Sequence, residues 1–267
     1  MQKAFSMKGV TSKARVFAIT SGKGGVGKTS IAINLALTLS QAGLRVLLID
    51  ADMGLANVDV MTGVKAPHTI EEIINGEASI FDALAEGPEG LTILPAGSGL
   101  GRIQEYEANI AAFKKELVRL ENAFDFIFID TGAGISANVV DFVFMANEVI
   151  VVMTLEPTAF ADAYAMVKLV SLEQPSLKIG VIVNVVDNEH QGENMFEKFN
   201  EIVVRFLARD VRYRGCIVRD KSMGQAVMRQ SPLALSAPKS PAMQSIHIVA
   251  RNILGIKSSK KKSLFSR

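Results

Sequence analysis

The stretch "RVFAITSGKGGVGKTSIAINLALTLS", residues 15–40, decides the fold. It reads as a strand, a glycine loop and a helix in direct succession. "RVFAIT" (15–20) is apolar at consecutive positions, as in a strand covered on both faces. Residues 29–42 read as a helix that stops at Gly43, placed as a C-terminal cap. Between them, Gly22, Gly27, Lys28 and Thr29 satisfy G-x-x-x-x-G-K-[ST]. The glycines let the backbone turn so that successive N–H groups face phosphate oxygens, and the positive end of the next helix points the same way. Gly22, Lys23, Gly24, Gly25, Val26, Gly27, Lys28, Thr29 and Ser30 are therefore candidate nucleotide-binding residues. Lys28 would reach the β- and γ-phosphates, and the Thr29 hydroxyl would ligate Mg²⁺. A glycine-rich turn that binds nothing is the alternative, and it leaves the flanking strand and helix as coincidence. Lys23 is a second lysine in the loop, and phosphate binding alone requires only one.

Further along, apolar runs recur as "RVLLID" (45–50), "LTILPA" (91–96), "FDFIFID" (124–130), "EVIVVMT" (148–154), "LKIGVIVNVV" (177–186) and "YRGCIV" (213–218). Helical segments separate most of them. One, residues 193–209, aligns Phe196, Phe199, Ile202, Val203, Phe206 and Leu207 on a single stripe. Alternating strands and helices predict an α/β fold with a doubly wound, mostly parallel sheet in a single domain. "SPLALSAPKSP" (231–241) reads as a loop within it. Residues 15–255 form the expected domain, 1–14 an N-terminal extension and 256–267 a basic C-terminal tail. Open sheets bind ligands at the carboxyl ends of their strands. Asp50 and Asp52 end the second strand and Asp130 ends "FIFID", so each is a metal or water-orienting candidate. An ordinary strand-end or N-cap aspartate is the alternative for each.

Composition narrows the class. The chain has 267 residues, 49% of them hydrophobic, enough for a sizeable core. Its 29 basic and 27 acidic residues nearly balance, which argues against a dedicated nucleic-acid binder but leaves room for a local basic patch. The one cysteine, Cys216, cannot form an intrachain disulfide, and "RGCIVR" places it as a buried, inert thiol on a strand. The start, "MQKAFSMKGVTSKAR", lacks the continuous apolar core of a secretory signal, and the most apolar region, 124–155, is interrupted by Asp125, Asp130, Asp141, Asn147 and Glu148, so it does not read as a membrane span. A cytoplasmic protein is expected.

"KGGVGKT" (23–29) is more specific than the general phosphate-loop pattern. It resembles the deviant Walker A motif of the MinD/ParA ATPases, a P-loop NTPase family, over about residues 15–255. The resemblance implies ATP and Mg²⁺ as cofactors and an ATP-dependent homodimer. It implies that Lys23 crosses the dimer interface to the phosphates of the other subunit, where an extra cation offsets buried negative charge. "DADMGLAN" (50–57) resembles the family's switch I, in which Asp52 positions the attacking water. "DTGAG" (130–134) resembles switch II, with Asp130 in the Mg²⁺ shell. The candidate metal set is thus Thr29, Asp52 and Asp130, and the catalytic pair Asp52 and Lys23. Asn184 stands where the family reads the adenine edge, and Glu156 where related dimers contact the ribose across the interface.

Within the family, "DADMGLANVDVMTGV" (50–64), "TLEPTAFADAYAMVK" (154–168) and "APKSPAMQSI" (237–246) look more like the flagellar-number regulators, the FlhG or FleN group, than like the division-site members. That implies a flagellar GTPase, a transcription activator or a switch-complex protein as partner. Two departures stand out. Residues 1–14 lack the DQAxxLR pattern through which the group acts on its GTPase, and Val218 replaces the proline usual in the last base-contacting loop.

The tail "KSSKKKSLFSR" (257–267) joins five basic residues to Leu264 and Phe265. Basic residues near an anionic membrane contribute about 1 kcal/mol each. One copy would bind weakly and two copies through avidity, which predicts reversible association with the inner face of the cell membrane. A solubilising tail and a nucleic-acid contact are the alternatives. The function expected is a switch ATPase that sets the number or placement of flagella. A division-site or DNA-partitioning ATPase is the second reading, and nucleic acid is the less expected partner. A metabolic P-loop enzyme is the third. Cluster-bearing relatives are excluded because one cysteine per chain cannot supply the paired ligands.

Overall fold

A computed structural model describes residues 13–53, 57–97 and 106–256. The expected N-terminal extension and basic tail lie almost wholly outside these residues, as do positions 54–56 of the switch I stretch. Eight strands form one sheet: β1 (Arg15–Ser21), β2 (Val46–Ala51), β3 (Ala85–Glu86), β4 (Thr92–Leu94), β5 (Phe126–Ala133), β6 (Glu148–Met153), β7 (Lys178–Val186) and β8 (Arg212–Val218). Their order is β3-β4-β2-β5-β1-β6-β7-β8, and every pairing is parallel except β3 with β4. The short antiparallel β3 has no apolar run to announce it.

The helices are α1 (Lys28–Gln41), α2 (Val58–Thr62), α3 (Ile70–Ile74), α4 (Tyr106–Leu120), α5 (Ala137–Val143), α6 (Pro157–Glu173), α7 (Glu189–Leu207), α8 (Lys221–Met228), α9 (Leu233–Ser236) and α10 (Pro241–Leu254). Alternation along each strand divides the core between the two faces of the sheet. Val16, Ala18, Leu47 and Ile49 join the layer that holds Phe113, Phe142, Met166 and Phe199. Phe17, Ile19, Val46 and Leu48 join the layer that holds Ile31, Leu35, Ile246 and Val249. The consecutive apolar residues of the strands are therefore used on both sides.

Two local expectations are corrected. On α7, Phe199 and Val203 are fully buried, but Phe206 is exposed with Arg205 over its ring. The buried stripe is narrower than the periodicity implied, because α7 loses its cover towards its carboxyl end. Residues 231–241 contain the short helix α9, whose Leu233 and Ala234 are buried against the α1 layer. Cys216 is free and buried, and burial raises its thiol pKa.

At the amino end of the sheet, Glu148 and Arg214 are buried together as a hydrogen-bonded ion pair. Arg214 Nη1 also donates to the Asn252 carbonyl at 3.0 Å, and Arg15 Nη1 donates to the Ile253 carbonyl at 2.7 Å. Two arginines thereby add donors to carbonyls of the last turn of α10, where intrahelical donors run out. At the other end of α10, Asp220 accepts from Ala242 N at 3.1 Å. The helix runs antiparallel to the strands along their whole length.

Candidate functional site

The loop between β1 and α1 lies at the carboxyl end of the sheet, beside the central strand. Gly25 and Gly27 have φ of 77° and 93°, the left-handed region that favours glycine. Gly22 is required for a different reason: a Cβ there would overlap the backbone of Asp162 on α6. Val26 is buried and anchors the loop in the α1 layer. Its carbonyl accepts from Asn184 Nδ2 at 2.7 Å, and Asn184 Oδ1 accepts from Val185 N at 2.9 Å. Asn184 thus braces the loop from the end of β7. Ser21 Oγ donates to the Lys23 carbonyl at 2.6 Å and closes the turn from below.

The two lysines have opposite surroundings. Lys28, the first residue of α1, is 8% exposed. Burial lowers its pKa, opposed by the charges of Asp130 and Asp52. The Lys23 side chain is 39% exposed, and its Nζ lies 2.5 Å from Glu156 Oε2 and 3.1 Å from Thr158 Oγ1. It turns out of its own loop towards the start of α6. Glu156 and Thr158 come from 133 and 135 positions away, so the contact is not legible in the sequence.

The carboxylates flank Lys28. Asp130 is 1% exposed, and neither of its oxygens has a hydrogen-bond partner among the described residues. Burial, then the neighbouring Asp50, pushes its pKa up to about 8; Thr29 and Lys28 pull the other way. Asp50 stands opposite Asp130 in the β2–β5 register. Burial raises its pKa to about 6, while three backbone donors oppose the shift. These are Asp52 N at 3.1 Å to Oδ1, and Asn57 N at 3.0 Å and Val58 N at 3.1 Å to Oδ2. Asp50 therefore holds the backbone of Asp52, Asn57 and Val58, whereas the sequence pointed to it as a metal or water-orienting candidate at a strand end. Its position after four buried apolar residues was the available signal. Asp52 is half-buried, and a Cβ on Gly132 would stand 3.5 Å from its Oδ1. The two switch stretches are therefore neighbours.

This arrangement fits a phosphate-bound Mg²⁺. A buried carboxylate without a donor is costly unless a cation compensates it, and Asp130 is such a group beside Thr29. Mg²⁺ keeps most of its waters and uses few protein ligands. Lys28 and the loop glycines supply the positive surroundings that phosphates need.

Comparison with known proteins agrees with this geometry. Residues 14–181 match the family described as AAA domain. The chain is 38% identical over 244 residues to the antiactivator FleN of Pseudomonas aeruginosa, covering 90% of this chain and 86% of that protein. It is 34% identical to the flagellum site-determining protein YlxH of Helicobacter pylori, covering 92% and 83%. Among solved structures, the MinC:MinD cell division complex of Aquifex aeolicus superposes with TM-score 0.76 at 28% identity, covering 93% of this chain and 99% of that one. MinD of Pyrococcus horikoshii complexed with Mg-ADP superposes with TM-score 0.74 at 26% identity, covering 90% and 96%. The central parallel sheet, the glycine loop with its paired lysines and these likenesses together mean that the chain belongs to the MinD/ParA-type P-loop ATPases and is a relative of their FleN/FlhG members.

Proposed function

We propose that this protein is an ATP-dependent dimerising switch that regulates the number or placement of flagella, with hydrolysis reversing both dimerisation and membrane association. The contrast between the two lysines carries the reading. Lys28 is buried beside Asp130 and suits phosphates bound in its own loop. Lys23 points away, on an exposed face, and suits phosphates bound in another subunit. To reach them it must leave Glu156 and Thr158. The contact is an exposed ion pair, worth about 1 kcal/mol at most, so it can open when a better anion arrives.

ATP with Mg²⁺ supplies the phosphoryl group and the charge that couples the subunits. Within the chain, Gly22 to Ser30 cradle the phosphates, and Lys28 neutralises them. Thr29 and Asp130 hold the metal shell, and Asp52 orients the attacking water from switch I. The bracing of Val26 by Asn184 keeps the loop shaped, and Asn184 and Glu156 are the base- and ribose-side candidates. Turnover in a timer of this kind is slow. The flagellar assignment follows the relatives named antiactivator FleN and flagellum site-determining protein YlxH. The membrane step is assigned to residues 257–267.

Light scattering of the full chain with ATP or ADP tests the switch. ATP should raise the dimer fraction and ADP should not. Asp52→Ala should hold the dimer with ATP, and Lys23→Ala should lose the dimer while retaining ATP binding. A monomer in ATP for both the wild type and Asp52→Ala would refute the reading.

A further inference from the structure

The near-neutral charge of the whole chain conceals a division. Residues 1–210 carry 17 lysines and arginines against 26 acids, whereas residues 211–267 carry 12 against one, Asp220. A charge asymmetry of this size marks a surface for an anionic partner. Five of the 12 cations lie in 257–267, so seven belong to the folded domain.

Their uses differ. Arg214 is consumed by Glu148 inside the protein. Arg219 sits 3.6 Å from Asp187 with both side chains largely exposed. Lys221, Arg229 and Lys239 are exposed, and none has an ion-pair partner among the described residues. All three lie in the connection that crosses the carboxyl end of the sheet between β8 and α10. The one acid there is occupied as a cap: Asp220 accepts from Ser222 N at 2.8 Å and from Ala242 N at 3.1 Å.

Apolar exposure accompanies the charge. Met228, the last residue of α8, is 87% exposed, and its neighbour Val227 is also exposed. Ala226 faces the core, so helical periodicity puts Lys221, Gly224 and Met228 together on the outer face. Nothing stands within 4 Å of the space a Gly224 Cβ would fill, so that face is open. Tyr213 is the one aromatic residue in 211–256, and it is half-buried, so the surface lacks the stacking platforms that single-stranded nucleic acid uses. An exposed methionine between cations instead matches an interfacial lipid contact, with the apolar side chain in the acyl boundary and the charges among headgroups.

We propose that residues 219–239 form a lipid-facing surface, with Met228 and Val227 entering an anionic bilayer interface and Lys221, Arg229 and Lys239 resting on its headgroup phosphates. This contact is separate from residues 257–267 and adds to the association that the tail provides. The test is co-sedimentation of the full chain with phosphatidylglycerol–phosphatidylcholine vesicles and with pure phosphatidylcholine vesicles, with duplex DNA retention measured in parallel. The variants are Lys221→Gln/Arg229→Gln/Lys239→Gln and Met228→Ser, all on exposed side chains.

The triple variant should partition onto the anionic vesicles about 100-fold less, about fivefold for each charge, with ATP turnover unchanged. Met228→Ser should weaken vesicle binding severalfold and leave DNA retention as it was. Wild-type vesicle binding by the triple variant would overturn the proposal. So would loss of DNA retention with unaltered vesicle binding, which would assign the surface to nucleic acid. Because the tail and the phosphate loop are intact in both variants, failure here leaves the switch reading standing, and failure of the switch leaves this result readable.

Discussion

The two ends of the sheet each bury a carboxylate, and they treat it oppositely. At the amino end, Glu148 is 4% exposed and ion-paired with Arg214, whose Nε and Nη2 both donate to its Oε1 and which also holds the end of α10. At the carboxyl end, Asp130 is 1% exposed and neither oxygen has a hydrogen-bond partner within normal distance among the described residues, with Asp50 adjacent in register. The same sheet thus carries a closed electrostatic arrangement at one end, on β6 and β8, and an open one at the other, on β2 and β5. A buried charge left open is tolerated where a ligand completes it. The amino end serves stability, and the carboxyl end gives up stability for cation binding.

The largest effect should come from breaking the closed end. Arg214→Met leaves Glu148 buried without its partner and should lower unfolding free energy by about 3–5 kcal/mol, measured by chemical denaturation without nucleotide. Asp130→Asn is the matching change at the open end. It should leave the nucleotide-free protein as stable or more stable in the same assay, yet cut Mg²⁺-dependent hydrolysis by about a hundredfold or more. If both variants destabilise the free protein alike, the contrast between the ends is wrong. Gly22→Ala presses a methyl group onto the Asp162 backbone. It should cost about 1–3 kcal/mol and weaken nucleotide binding together with stability, read by thermal melting with and without ATP.

pH sharpens the comparison. Asp130 has an ordinary pKa of 3.8 when unfolded and about 8 when folded, and Asp50 is raised to about 6. Between these values the folded state holds protons that the unfolded state has released. Stability from these groups is therefore complete below about pH 4, declines as pH rises, and stops declining above about pH 8. The slope is at most about 1.4 kcal/mol per pH unit for each group. Asp130→Asn should flatten the decline between pH 6 and 8 in the nucleotide-free protein. An unchanged slope would mean that Asp130 is already ionised there. The smallest effect belongs to the exposed pair: Glu156→Gln should alter stability by less than about 1 kcal/mol while leaving Lys23 freer to turn.

Much of this was legible in the sequence because it depends on local rules. Gly25 and Gly27 occupy the left-handed conformations the motif demands, and seven apolar runs correspond to seven of the strands. Features set by distant contacts were not legible. The approach of Asp162 to Gly22 and of Glu156 to Lys23 requires the β6–α6 turn to fold over the loop. The three amides on Asp50, from Asp52, Asn57 and Val58, come together only in the folded chain. Phe206 was misjudged because periodicity reports a face without reporting where its cover ends. The uneven charge was present in the sequence all along, but whole-chain totals cancel it.

The arginine clamp on α10 has a consequence for geometry. Arg15 and Arg214 bolt the final turn to the edge farthest from the phosphate loop, while Asp220 pins the first turn at the loop's own end. Fourteen residues of rigid helix span about 21 Å between these bolts. Ile256, the last described residue, therefore lies at the far pole of the domain, and whatever a nucleotide changes near Asp52 can alter that point only by moving the whole rod or by bringing a second copy's rod alongside.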